Sequence, residues 1–144
     1  MWAHNSHVGT AASTEMANSG EVSLADLLRR AHPGEVFSLG FLTRLGTAMA
    51  APAWDRPGQI YRLPPASRDS VEALLHRSGL HRSLLMLRNT PATSPLAQRR
   101  PQRAIGVTYL PNGERNTSYI QAQLASQFDA LAYLDETRAV SPIP

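Results

Sequence analysis

The sequence predicts an α/β fold, with a mixed or largely parallel sheet, helices on its faces, and the appearance of an incomplete part of a larger α/β domain. Two observations carry the prediction. An amphipathic helix beginning at Ser23 is followed within a few residues by the apolar run Val36–Leu42. A second helix near Arg68 is followed by the apolar run Ser83–Leu87. Helices alternating with short buried runs are the rhythm of a sheet covered by helices.

Gly9 to Gly20 is small and polar and reads as loop or ragged helix. Ser23 can cap a helix, with Asp26 three residues on as its reciprocal partner. Leu24, Leu27, Leu28 and Ala31 then share one helical face, and His32-Pro33-Gly34 stops the helix. Val36–Leu42 reads as a buried strand and Gly46–Ala53 as a weak edge strand. Asp55-Arg56-Pro57-Gly58 is turn chemistry, and Leu63-Pro64-Pro65 continues as loop. Val71, Leu74 and Leu75 form the stripe of the second helix, which Gly79 ends. After the Ser83–Leu87 strand comes a proline-rich loop, Thr90 to Gln102, then a strand over Ala104–Tyr109. Leu110–Gly113 is a turn, Ala122–Phe128 a short helix, and Asp129–Leu134 a last strand running into Asp135-Glu136-Thr137-Arg138.

Composition narrows the function. At 144 residues, with 42% hydrophobic and 17% charged residues, the chain suits one soluble domain. Zero cysteines exclude disulfides, zinc ribbons and thiol nucleophiles. No apolar run approaches the ~20 residues of a membrane helix. The N-terminus lacks the basic-then-apolar pattern of a signal peptide, so a cytoplasmic location is expected. All 14 basic residues are arginine, which lifts the pI to about 9.9 on a net charge of only +3. The dense cluster Arg99-Arg100-Pro101-Gln102-Arg103 has no interleaved aromatic residue. Its favoured reading is a solvated loop, with nucleic-acid binding the weaker alternative.

Candidate chemistry concentrates at the start, in Trp2-Ala3-His4-Asn5-Ser6-His7-Val8. Histidines three apart on a turn can face one side, where one ring takes a proton and the other orients a substrate oxygen. Holding a metal would require a third ligand, and Glu15 is the nearest acid. The ordinary alternative is a pair of polar loop residues. Asn5, Glu15 and Arg44 are the candidates for holding substrate; Arg44 follows the Val36 strand and can reach an anion or carbonyl. For Asp135-Glu136-Thr137-Arg138 an ion pair pinning the chain end is favoured over a substrate site. His32, His76 and His81 sit near helix ends, where imidazolium meets the dipole favourably. No Gly-x-Ser-x-Gly elbow and no phosphate-binding glycine loop occurs.

The pattern Trp-Ala-His-Asn-x-His-Val-Gly, followed by Thr-Glu-Met, the Ser23–Ala31 helix and Val-Phe-Ser-Leu-Gly-Phe, resembles the erythromycin esterase family. The likeness continues through Ser70–His76, Arg103–Val107, Gln127–Ala130 and Asp135–Val140, over nearly the whole chain. The resemblance implies a hydrolase that opens a macrolide lactone with water and uses no covalent serine and no cofactor. It implies that His4 and His7 line the substrate cleft, while a histidine and a glutamate of the family's N-terminal half activate the water. That half, with its Gly-Glu-x-x-His-Gly type motif, has no counterpart here. Residues 1–144 are thus expected to be the C-terminal part of an erythromycin-esterase-like domain, with little catalysis unaided. The expected partners are a small-molecule ester or lactone, and the missing N-terminal half or another chain; neither nucleic acid nor membrane is expected. Two other readings stay open: a non-catalytic remnant or interaction module, and a histidine-based metal-binding protein.

Overall fold

In a computed structural model, residues 1–140 are described. They form an α/β fold around a four-stranded mixed sheet with strand order β2-β1-β6-β3. Strand β1 (Leu39–Ala50) is central and long. It pairs parallel with β6 (Ala130–Thr137) through its first half and antiparallel with β2 (Gln59–Leu63) through its second. Strand β3 (Arg82–Met86) adds antiparallel to β6. Only one pairing in this sheet is parallel, so of the two expected architectures the mixed sheet is the one formed.

Helix α1 (Asn5–Val8) opens the chain, and two 3-10 turns, Ala11–Ser13 and Glu15–Ser19, fill the stretch expected to be loop or ragged helix. Helix α2 (Leu24–Ala31) starts at the reciprocal Ser23–Asp26 capping box. Asp26 Oδ2 also accepts from the Ala11 amide at 3.0 Å, tying the entry segment to this helix. Helix α3 (Val71–Arg77) is capped by Ser70. Two short helices follow, α4 (Glu114–Thr117) and α5 (Leu124–Gln127).

Three sequence expectations are corrected. Val36–Leu42 and Gly46–Ala53 are not separate strands but contribute to the single strand β1. The strand expected over Ala104–Tyr109 forms four residues earlier, as β4 (Arg100–Arg103), which pairs with β5 (Tyr119–Ala122) in a separate two-stranded sheet. Pro101 is tolerated there because a two-stranded ribbon has free edges on which a missing N–H costs nothing. The backbone of 104–109 bonds elsewhere: the Ala51 amide donates to the Val107 carbonyl at 2.8 Å, and the Tyr109 amide donates to the Ala51 carbonyl at 3.0 Å. Finally, β2 and β5 occupy stretches the sequence reading left without strands.

The core has two parts. Leu42, Val71, Leu75, Leu87, Leu124, Phe128, Leu131 and Tyr133 pack between the sheet and helices α3 and α5. Ala50, Leu63 and Tyr109 form a smaller cluster beneath the β1–β2 hairpin. Phe128 lies flat on β1 at Gly40, where an added Cβ would stand 2.8 Å from the ring. Among the described residues, no helix is long and apolar enough to cross a membrane.

Candidate functional site

The first turn of the chain is locked to β1 by one side chain. β2 pairs only with Gly46–Ala50, so the earlier stretch of β1 has an open edge on that side. Asn5 fills it as a strand residue would. Its Nδ2 donates to the Phe41 carbonyl at 2.6 Å and its Oδ1 accepts from the Phe41 amide at 3.1 Å. Trp2 completes the anchor by packing on Phe41, ring centroids 5.3 Å apart. These contacts set α1 at the lip of a cleft of about 400 Å³ lined by Trp2, His4, Phe41, Met49, Arg103 and Ile105 among others. That volume falls in the ordinary range of small-molecule pockets.

His4 brings an imidazole to this lip. Its Nε2 lies 2.8 Å from the Ile105 carbonyl, and its Nδ1 receives the Ser6 amide at 3.2 Å as the N-cap of α1. Ser6 Oγ stands 2.9 Å from the same nitrogen. A carbonyl at one nitrogen and an amide donor at the other assign the neutral Nε2–H tautomer. Partial burial lowers the pKa of His4, the nearby His7 lowers it further, and the Ile105 carbonyl opposes both. The ring is therefore neutral at pH 7, and its Nε2–H is a donor already aimed at a carbonyl oxygen.

His7 stands on the next turn, its ring centroid 6.4 Å from that of His4 and nearly perpendicular to it. It lines a different recess, with Ser6, Met16, Glu21 and Ser23. The structure thus keeps the two histidines adjacent but opens them to different sides of α1. Glu15 lines a third recess, with Ser67, Asp69, Arg115 and Tyr119. Arg44 is engaged within the sheet: its Nε and Nη2 donate to the two oxygens of Asp135 at 2.8 and 3.1 Å. Arg44 and Tyr133 hold the Asp135 carboxyl well below the usual carboxylate range, against the effect of burial. The ion pair favoured for the Asp135 segment is therefore present, and its partner is Arg44 on the neighbouring strand. Of the five candidates, only His4 and Asn5 line the His4 cleft.

Sequence reasoning missed Arg103, which it placed in a solvated basic loop. Arg103 is buried, 6% exposed, and lines the cleft. Its Nε lies 2.7 Å from Glu114 Oε1, and its Nη1 and Nη2 donate to the carbonyls of Arg44 at 2.6 Å and Pro64 at 2.8 Å. Its own amide donates to Glu72 Oε1 at 2.9 Å. Burial pushes the Glu72 carboxyl up, and the amide of Arg103 and its charge only partly offset that. The signal that would have found Arg103 is its pairing with distant acids, which no local pattern displays.

A succinoglycan biosynthesis protein superposes with a TM-score of 0.76 at 19% identity, covering 95% of this chain and 32% of that one. A Bacillus cereus protein gives 0.77 at 16% identity, over 95% and 33%. A mutant of the erythromycin esterase EreC in its open conformation gives 0.57 at 15% identity, over 92% and 30%. At these identities the likeness is one of fold, and the chain spans about a third of the length of the solved structures it matches. The sequence profile described as erythromycin esterase matches residues 1–137. The chain belongs to the erythromycin esterase family, a family of esterase-like hydrolases.

Proposed function

We propose that this chain supplies the His4–His7 part of a carboxylic-ester hydrolase whose substrate is a macrolide lactone or a related ester. The observation that carries the reading is the neutral His4 ring, which presents Nε2–H at the lip of a largely apolar cleft. In hydrolysis, water adds to the ester carbonyl carbon and loses a proton to a base. The carbonyl oxygen becomes an oxyanion, and collapse breaks the C–O bond to the alcohol, which takes up a proton. A donor preset at the oxyanion stabilises that charge without reorganising at the moment of reaction. His4 already holds a carbonyl oxygen at 2.8 Å, that of Ile105, and a substrate carbonyl would take its place. Trp2, Phe41, Met49 and Ile105 give the cleft walls suited to an apolar ring. His7 opens to the recess on the other side of α1, and a role for it on the alcohol oxygen or the water requires the complementing portion to join that recess to the His4 cleft.

The base that takes the water's proton is assigned to the two-thirds of the fold that the matched structures have beyond this chain. Hydrolysis of erythromycin and of simple aryl esters tests this, with His4→Ala and His7→Ala beside the parent, and with and without the complementing portion. Turnover is expected only in the complemented form. Loss of His4 is expected to lower kcat about 10²–10³-fold, the usual effect of removing one oxyanion donor. Full turnover in complemented His4→Ala would sink the assignment. The competing reading, a non-catalytic interaction module, is favoured by the commitment of both His4 nitrogens to the protein itself, and it predicts no turnover in either form.

A further inference from the structure

A second group of chemistry-bearing side chains lies away from the His4 cleft. His76 is in the last turn of α3, His81 stands one residue before β3, and Asp135 is on β6. His76 Nδ1 is 3.0 Å from Asp135 Oδ1, and His81 Nδ1 is 3.6 Å from Asp135 Oδ2. One ligand atom from each residue can be chosen so that all three lie within 4.8 Å of one another. We propose that His76, His81 and Asp135 bind a borderline transition-metal dication, best matched by Zn²⁺, leaving one coordination position open.

Three arguments support this. The first is the donor set. Two imidazole nitrogens and one carboxylate oxygen suit zinc and its neighbours, whereas Mg²⁺ and Ca²⁺ take oxygen ligands almost exclusively. Zinc bonds near 2.0–2.1 Å in a tetrahedron separate ligand atoms by about 3.4 Å. His76 Nδ1 lies 3.0 Å from Oδ1 and His81 Nδ1 3.6 Å from Oδ2 of Asp135, and with one ligand atom from each residue within 4.8 Å of the others, modest side-chain rotation closes the set on one ion.

The second argument is charge. Arg44 already neutralises Asp135 through two hydrogen bonds, and Tyr133 Oη donates a third at 2.7 Å. Those donors hold Asp135 as a carboxylate, the form in which it can ligate. A dication would take the place of the His76 Nδ1–Asp135 Oδ1 hydrogen bond at 3.0 Å. The guanidinium also repels a cation, which sets an affinity below that of a site without it.

The third is rigidity. Asp135 is held by Arg44 and Tyr133, as ligating carboxylates are commonly held by outer partners. The Asp135 amide donates to the His81 carbonyl at 2.7 Å, which fixes the His81 backbone beside the carboxylate. The two rings stand edge to face with centroids 5.6 Å apart, so neither ring blocks the other.

The test is direct binding. Purified chain is titrated with Co²⁺, reading the visible ligand-field bands, and with Zn²⁺ by calorimetry, with Mg²⁺ as the oxygen-preferring comparison. The variants are His76→Ala and His81→Ala; their side chains are 39% and 66% exposed, so neither substitution threatens folding. His32→Ala, an exposed histidine on α2's C-terminal side, controls for stray imidazole binding. The expected result is one equivalent of Co²⁺ or Zn²⁺ and no comparable Mg²⁺ uptake. Affinity should fall in each site variant by at least the roughly 10–100-fold that loss of an outer partner costs, and stay unchanged in His32→Ala. No stoichiometric binding, or binding that survives both site variants, would overturn the proposal. The readout is binding alone, so the result is independent of whether the chain hydrolyses esters.

Discussion

Asp129 does at the residue scale what a loop of contacts does elsewhere: one carboxylate joins three segments. Its Oδ2 accepts from the Ser38 amide at 2.7 Å and from Arg29 of α2 at 2.6 Å, and its Oδ1 accepts from Arg88 after β3 at 2.7 Å. Burial raises the pKa of this carboxyl, but the Ser38 amide and the two arginines outweigh it and hold it below the ordinary value. A depressed folded-state pKa contributes stability above the unfolded value, near pH 4, and loses it as pH falls through the folded value. Asp129→Asn is expected to cost about 1–3 kcal/mol at pH 7, less than a fully buried pair because both arginines are partly exposed. Its urea midpoint should also fall less steeply than the parent's between pH 5 and pH 3. Parallel acid limbs in the two proteins would show that Asp129 is not the group being titrated. His4 was legible at this same scale, because a motif at fixed spacing displays it. Arg103 was not, because what distinguishes it from Arg99 is a set of partners, Glu114, Glu72 and two carbonyls, that are distant in sequence.

At the element scale, β1 shows why boundaries were less readable than existence. The apolar run Val36–Leu42 and the small-residue run Gly46–Ala53 look like two strands because their burial differs. One strand passes through both, changing partner from β6 to β2 near Gly46. Gly46 makes the change possible, with φ of +123° and an added Cβ that would stand 1.9 Å from the Thr137 carbonyl oxygen. Gly46→Ala is therefore expected to destabilise by about 2 kcal/mol or more, through backbone strain and the collision with β6. Chemical denaturation checks this, and a midpoint within error of the parent would mean that β1 and β6 can separate here without loss. The helices were read closely because caps are local: Ser23 with Asp26, and Ser70, sit where the sequence places them. Strands β2 and β5 were missed because their pairing partners, not their composition, make them strands. The Ala104–Tyr109 run reads as a strand because it is largely apolar, but its backbone bonds go to Ser118, Ala51 and the His4 ring.

For the whole molecule, the two faces of the sheet differ. Leu42, Leu131 and Tyr133 on one face are buried under α3 and α5. The register puts Phe41, Leu84, Met86 and Leu134 on the other, and these are exposed by 44, 67, 61 and 38%. Trp2, 86% exposed, extends the same apolar surface through its packing on Phe41. Monomeric soluble proteins rarely leave such a contiguous patch open. The chain spans about a third of the length of the structures it matches, and we propose that the patch meets the complementary part of the family fold, the part from which the proposed catalytic base would come. The physical consequence is measurable on this chain alone. The isolated protein is expected to bind a hydrophobic dye such as ANS and to self-associate with rising concentration in sedimentation velocity. The double variant Leu84→Lys/Met86→Lys should lose both properties while its unfolding midpoint changes little, since exposed positions usually shift stability by no more than about 0.5 kcal/mol. If the parent stays monomeric and dye-silent, the open face is satisfied by solvent. The complementary portion would then have to be held elsewhere, and the His4 cleft rather than the sheet would be the place to look for it.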